Sequence, residues 1–269
     1  MKWGQAGTLS IASGALECAS WGPAPDDAPT LVLLHEGLGC VKGWRDFPAA
    51  LSQATGFGVF AYSRFGYGQS DPCVLPRPLD YMTREAEDVL PQVLDAIGFR
   101  RGVLVGHSDG ATIAAEFGGS VPDQRVRAYV LMAPHFFCED VSITAIKAAK
   151  DAFETGDLRA KLAGLHKDPD MAFRGWCDTW LNDGFRDWNV GDAIDYLRVP
   201  VLAMQGEDDA YGTRAQIDEV ETRAYSPVET AWVKGCGHMM HKDQPDAVLE
   251  QISDFCTRLE LMEAASELT

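Results

Sequence analysis

The chain has 269 residues, 46% of them hydrophobic and 23% charged, with a formal net charge of -17 at pH 7. A chain this long buries roughly three-quarters of its unfolded surface without disulfides or metals to staple it. So acidic a balance argues against nucleic acid and anionic membranes, both polyanions, as partners.

The seven cysteines are odd in number, scattered and never spaced C-x-x-C, which fits thiols in a reducing compartment. The N-terminal MKWGQAGTLS has no apolar signal core, and no stretch reaches the roughly 18 apolar residues of a membrane span, so a cytoplasmic location is expected.

In chain order, residues 8–21 alternate as an antiparallel pair of edge strands would, with a turn at Ser13-Gly14. Leu31 to Leu34 is a wholly apolar strand that ends in the glycine-rich His35-Glu36-Gly37-Leu38-Gly39, whose backbone amides are free to face a ligand. A helix over 44–54 leads to a strand over 58–63, and the loop 64–70 turns on Gly66 and Gly68. A 3.6-residue stripe (Met82, Ala86, Val89, Leu90, Val93, Leu94, Ile97) predicts a helix over 81–98, kinked or broken at Pro91.

Val103-Leu104-Val105 is the next buried strand. It runs into Gly106-His107-Ser108-Asp109-Gly110 and then an Ala-rich helical stretch, the strand–turn–helix setting that G-x-S-x-G requires to act as a nucleophile elbow. The glycines leave room for the turn, the serine is lifted clear of the backbone, and the amide of Asp109 stands at a helix start with no helical acceptor. After a strand over 126–132, residues 139–197 break the alternation with short helical segments and three tryptophans, Trp176, Trp180 and Trp188. An insert here lies over the carboxyl edge of the sheet, where open α/β sheets bind ligands, and its tryptophans either form its own core or line a pocket. Phe136, Phe137 and Met239 are expected pocket walls, and His135 an expected substrate contact. Strands over 200–205 and 228–233, a helix over 213–223 and an amphipathic helix over 244–261 complete a mostly parallel sheet flanked by helices.

A serine hydroxyl needs a histidine to take its proton and a carboxylate to fix that histidine's tautomer. The strand over 201–204 leads into Gln205-Gly206-Glu207-Asp208-Asp209, where three acids compete, and the strand over 228–233 leads into Gly235-Cys236-Gly237-His238. All these loops fall on the edge that carries Ser108.

The combination of His-x-Gly, G-x-S-x-G, G-x-x-D and G-x-G-H, in that order from about Leu31 to Cys256, resembles the α/β-hydrolase superfamily. Specifically, it resembles cap-bearing serine hydrolases related to esterases, lactonases, cofactor-free perhydrolases and carbon–carbon bond hydrolases. The resemblance implies a core over 1–138 and 198–269, with a helical cap over 139–197 inserted after the sixth strand. It makes Ser108 the nucleophile, His238 the base and Asp209 the acid, with Asp208 the fallback. The oxyanion hole is then the amide of Asp109 with one from the His35 loop, where Glu36 in place of the usual glycine leaves Gly37 and Leu38 as alternatives, Gly37 preferred. Trp176 and Trp180 would join the substrate site.

Among the remaining residues, Arg64 is assigned no catalytic role, His241 is a minor rival for the base, His107 packs locally, His35 braces the oxyanion loop and His166 lies on the surface. No spacing fits a metal site or a dinucleotide fingerprint, so neither metal nor cofactor is expected. The implied function is hydrolysis of a small carboxylic ester or lactone through an acyl-enzyme. The alternatives are a carbon–carbon hydrolase of a β-diketone-type substrate and a ligand-binding receptor on a hydrolase scaffold. The expected partner is a small molecule, and the sequence is compatible with a homo-oligomer.

Overall fold

The computed structural model describes residues 2–266. Eight strands form one sheet in the order β1-β2-β4-β3-β5-β6-β7-β8. The first two, β1 (Ala6–Ile11) and β2 (Gly14–Trp21), pair antiparallel around a two-residue turn, and β2 pairs antiparallel with β4 (Gly58–Tyr62). All other neighbours are parallel: β3 (Thr30–Leu34), β5 (Gly102–His107), β6 (Val126–Met132), β7 (Val201–Gly206) and β8 (Val228–Val233).

The central strands are apolar without alternation because both their faces are covered. Successive side chains serve opposite layers. Leu31, Leu33, Val103, Val105, Val130 and Met204 pack with α1 (Phe47–Thr55) and α10 (Pro245–Ser266), whereas Val32, Leu34, Leu104, Leu131 and Ala203 pack with α3 (Leu90–Ala96), α4 (Asp109–Ser120) and α8 (Arg214–Arg223).

The expected kink at Pro91 takes a specific form. Between α2 (Tyr81–Arg84) and α3 the chain makes a π-helical turn, Glu85–Val89. Proline has no N–H for the Glu87 carbonyl and its ring crowds that carbonyl, so one widened turn absorbs the mismatch and the helix continues.

After β6 the chain forms α5 (Asp140–Thr155), α6 (Leu158–Ala163), α7 (Pro169–Trp180) and two 3-10 turns before returning to β7. The first of these helices is longer than the short segments expected. Asp168 starts α7 by accepting a hydrogen bond from the Met171 amide at 2.9 Å, with Pro169 in the first turn. A short α9 (Met240–Asp243) not anticipated from the sequence follows β8. Among the described residues no helix is long and apolar enough to cross a membrane.

Candidate active site

The site begins where β5 ends. Ser108 has φ 54° and ψ -120°, a left-handed conformation that costs an L-residue energy and persists because the surroundings dictate it. Those surroundings are two glycines. A Cβ on Gly106 would sit 2.2 Å from the Gly110 carbonyl oxygen, and one on Gly110 2.0 Å from that of Leu34, so the elbow closes against α4 and β3 only if both positions are bare. The Ser108 amide donates to the Met132 carbonyl at 2.8 Å, and its own carbonyl accepts from Ala111 at 2.8 Å, which starts α4.

Three sheet ends then converge. The Ser108 hydroxyl lies 2.9 Å from His238 Nε2, and His238 Nδ1 lies 3.0 and 2.9 Å from the two oxygens of Asp209. The carboxylate sets the tautomer: Nδ1 carries the proton and Nε2 offers its lone pair to the hydroxyl. Asp209 is held in turn by the Tyr211 amide at 2.8 Å and the Gln205 side-chain amide at 2.7 Å. Burial works against its charge, but the hydrogen bond and charge of His238 outweigh it and keep the acid below the usual aspartate range. Asp208 is exposed and faces no histidine. The backbone of His238 is fixed from behind by His107 Nε2, which donates to its carbonyl at 2.7 Å.

Ser108 and His238 open into a cavity of about 230 Å³. Gly37, Leu38, Asp109, His135, Trp176, Trp180 and Met239 are among its walls. Phe136 and Phe137, also expected there, are not among its walls: Phe136 is fully buried in the core and Phe137 packs against that core, bridged to Asn189, while Gln216 of α8 accepts from the Phe136 amide and donates to the Phe137 carbonyl. Walls that sequence reading missed include Ile146 of α5, Leu158 and Leu162 of α6, Leu165, Tyr211 and Lys242. The spacing of Leu158, Leu162 and Leu165 at i, i+4 and i+7 was the available signal. The tryptophans divide: Trp176 and Trp180 are buried and reach the cavity, whereas Trp188 stacks on Phe185 at 4.8 Å.

The histidines separate by surroundings. His241, the expected rival for the base, is 4% exposed, packs on Trp44 with ring centroids 4.6 Å apart, and burial lowers its pKa to about 3. His135 is buried beside the site and is likewise lowered to about 3 by burial. His35 donates from Nδ1 to the Glu36 carbonyl at 2.7 Å and accepts at Nε2 from the Arg64 amide at 3.0 Å, which braces its loop as expected. His166 corrects the surface expectation. It is 3% exposed, accepts from the Gly68 amide at 2.9 Å and donates to the Leu38 carbonyl at 3.0 Å, because a neutral imidazole can bridge a donor and an acceptor that face each other across two loops.

Comparison with known proteins gives the family and the fold. The model of the alpha/beta hydrolase family matches residues 31–251. The chain is 24% identical to a carboxylesterase, YbfK of Bacillus subtilis (strain 168), over 246 residues, 86% of this chain and 81% of that protein. It is 24% identical to epoxide hydrolase 3 of Xenopus tropicalis over 269 residues, 84% of this chain and 71% of that one. Among solved structures, a proline iminopeptidase of Mycobacterium smegmatis superposes with a TM-score of 0.76 at 18% identity, covering 96% of this chain and all of the other. A match over that span, on a sheet of this order with a serine elbow at its centre, places the chain in the alpha/beta hydrolase family, as a hydrolase.

Proposed function

We propose that this hydrolase cleaves a small carboxylic ester or lactone through a covalent acyl-enzyme. The observation that carries the reading is the continuous path Ser108 Oγ, His238 Nε2, His238 Nδ1, Asp209, all at hydrogen-bond distance and open to one apolar cavity. Ser108 Oγ attacks the carbonyl carbon while its proton passes to His238 Nε2. The carbonyl π pair moves onto oxygen, which the amides of Asp109 and Gly37 receive; such donors typically contribute about 2.7–4 kcal/mol each. Collapse expels the alkoxide, which takes the proton back from His238. Water, deprotonated by the same nitrogen, then attacks the acyl carbon, and collapse breaks the bond to Ser108 Oγ, which takes that proton back from His238 as the acid leaves. Asp209 stays ionised and steadies the imidazolium.

Residues 139–197 act as a cap. Ile146, Leu158, Leu162, Trp176 and Trp180 would cover the acyl or alcohol group, and a volume of about 230 Å³ suits a small substrate with an apolar or aromatic part. The similarity to an epoxide hydrolase carries less weight for substrate, because a hydroxyl rather than a carboxylate stands at position 108. Similarity to a carboxylesterase favours the ester reading.

The test is a panel of nitrophenyl esters of increasing acyl length, lactones and β-diketones, assayed with the parent protein and Ser108→Ala. Turnover of short or aryl esters that disappears in Ser108→Ala is expected. Full ester turnover by Ser108→Ala would overturn the reading, and selective turnover of β-diketones would move it to carbon–carbon bond hydrolysis.

A further inference from the structure

Arg64 follows β4 by two residues, is 2% exposed, and has no partner that the sequence suggested. Burying an unpaired charge is costly, and both Nη nitrogens of this guanidinium are compensated while Nε has no hydrogen-bond partner. Its Nη contacts fall on the loop that follows β3 and on the residue that follows Ser108. Nη1 donates to the His35 carbonyl, Nη2 donates to the Glu36 carbonyl at 3.2 Å, and the same Nη2 lies 3.6 Å from Asp109 Oδ2. The Tyr81 hydroxyl donates to that carboxylate oxygen at 2.5 Å, and Trp180 Nε1, in the cavity wall, donates to the Tyr81 oxygen at 3.1 Å. The Tyr67 ring lies 5.1 Å from the guanidinium carbon.

The Glu36 carbonyl and the Gly37 N–H belong to one planar trans peptide and point in opposite directions. That carbonyl also accepts from His35 Nδ1 at 2.7 Å and from the Gly39 amide at 3.0 Å, so Arg64 is one of three donors that together fix the direction of the Gly37 N–H, and it is the one whose positive charge polarises that N–H as well. The second amide belongs to Asp109, whose side chain the same nitrogen approaches. One rigid fork thus spans both proposed oxyanion donors, which a point-charge lysine cannot do.

Building on the hydrolase reading above, we propose that Arg64 is a positioning residue for the oxyanion site, setting the spacing and direction of the amides of Gly37 and Asp109 without touching substrate. Its effect falls on the transition state, where a misplacement of about 1 Å costs on the order of 100-fold.

The experiment compares the parent with Arg64→Lys, Arg64→Gln and Arg64→Gln/Asp109→Asn. The double variant removes the carboxylate that the single one would leave uncompensated. Each is assayed on the parent's best ester, per active site titrated with a fluorophosphonate, together with the affinity of an aryl trifluoromethyl ketone, which forms a tetrahedral oxyanion, and the melting temperature. We expect kcat to fall about 10–100-fold in Arg64→Lys and in the double variant, KM to stay within about threefold, and ketone affinity to fall in parallel with kcat. The double variant should melt above Arg64→Gln without regaining kcat. Values of kcat and ketone affinity within twofold of the parent per titrated site, in Arg64→Lys and the double variant, would overturn the proposal, because a purely structural role changes only the number of working sites. In that case the parent still turns over ester through Ser108. A parent that neither labels nor hydrolyses sinks the hydrolase reading itself.

Discussion

The two sides of Ser108 handle charge in opposite ways. Towards His238 the groups are arranged to exchange a proton: an imidazole, its side chain 10% exposed, between a hydroxyl and an acid. Towards Arg64 the polar groups are sealed: Arg64, Asp109 and Tyr81 are buried and bound to one another or to backbone, and buried Glu85 accepts from the Tyr62 hydroxyl at 2.9 Å. One side changes protonation during a cycle, whereas the other holds donors still while it does. Substitutions on the first side should therefore strike chemistry with little effect on stability, and those on the second should strike both.

The largest effect expected is on the proton-exchanging side. Ser108→Ala and His238→Ala should each lower kcat about 10⁴–10⁶-fold with melting temperatures within a few degrees of the parent, as steady-state kinetics and calorimetry would register. Asp209→Asn should cost about 10⁴-fold, because an amide can hold the wrong tautomer of His238. Asp208→Asn, one residue earlier and exposed, should stay within about twofold, and the reverse ranking would move the acid to Asp208.

Acid stability sharpens the comparison next, because His135 and His241 flank the site yet are held neutral. Each has its folded pKa lowered from 6.5 to about 3 by burial, so between those values the unfolded chain binds a proton that the folded chain does not. Their contribution is complete above about pH 6.5 and is lost on acidification towards 3, each at about 1.4 kcal/mol per pH unit. Urea unfolding between pH 7.5 and 4.5 should show this slope, reduced by one histidine's share in His241→Gln. An unchanged slope would mean that His241 is not held neutral.

Glu116 has the opposite sign. Buried and bonded to Thr83 at 2.6 Å, it has a pKa raised to about 7, chiefly by burial, so the folded chain holds its proton between about 4.5 and 7 and stability is lost as pH rises through that window. Glu116→Gln should stabilise by about 1–3 kcal/mol at pH 8 and leave stability near pH 4 unchanged, by the same unfolding measurement.

What could be read from the chain alone follows from how far apart the partners lie. The buried strands β3 to β7 are short apolar blocks, Ser108 sits in a glycine-framed loop directly after one of them, and His238 sits in a glycine-framed loop after the half-exposed β8, so local pattern was enough. Arg64 and His166 are different. Their side-chain hydrogen bonds reach residues 28 to 128 positions away, on loops whose meeting depends on the whole sheet, and nothing beside them in sequence separates a buried polar brace from a surface residue. Phe136 and Phe137 show the converse. Two phenylalanines next to a site look the same in sequence whether they face the cavity or the core, and here Gln216 draws their backbone away. The π-turn before Pro91 was half legible: the proline announced a fault, but only the packing of α2 and α3 on one layer explains why the helix continues through it.

The central claim is that Ser108 becomes acylated. Rapid-quench intact-mass measurement of the protein mixed with excess nitrophenyl acetate, followed by peptide mapping, tests it directly. The account predicts one acetyl group on the peptide that contains Ser108, formed in a burst and lost in Ser108→Ala and His238→Ala. Turnover with no adduct, or an adduct carried by another residue, would contradict it.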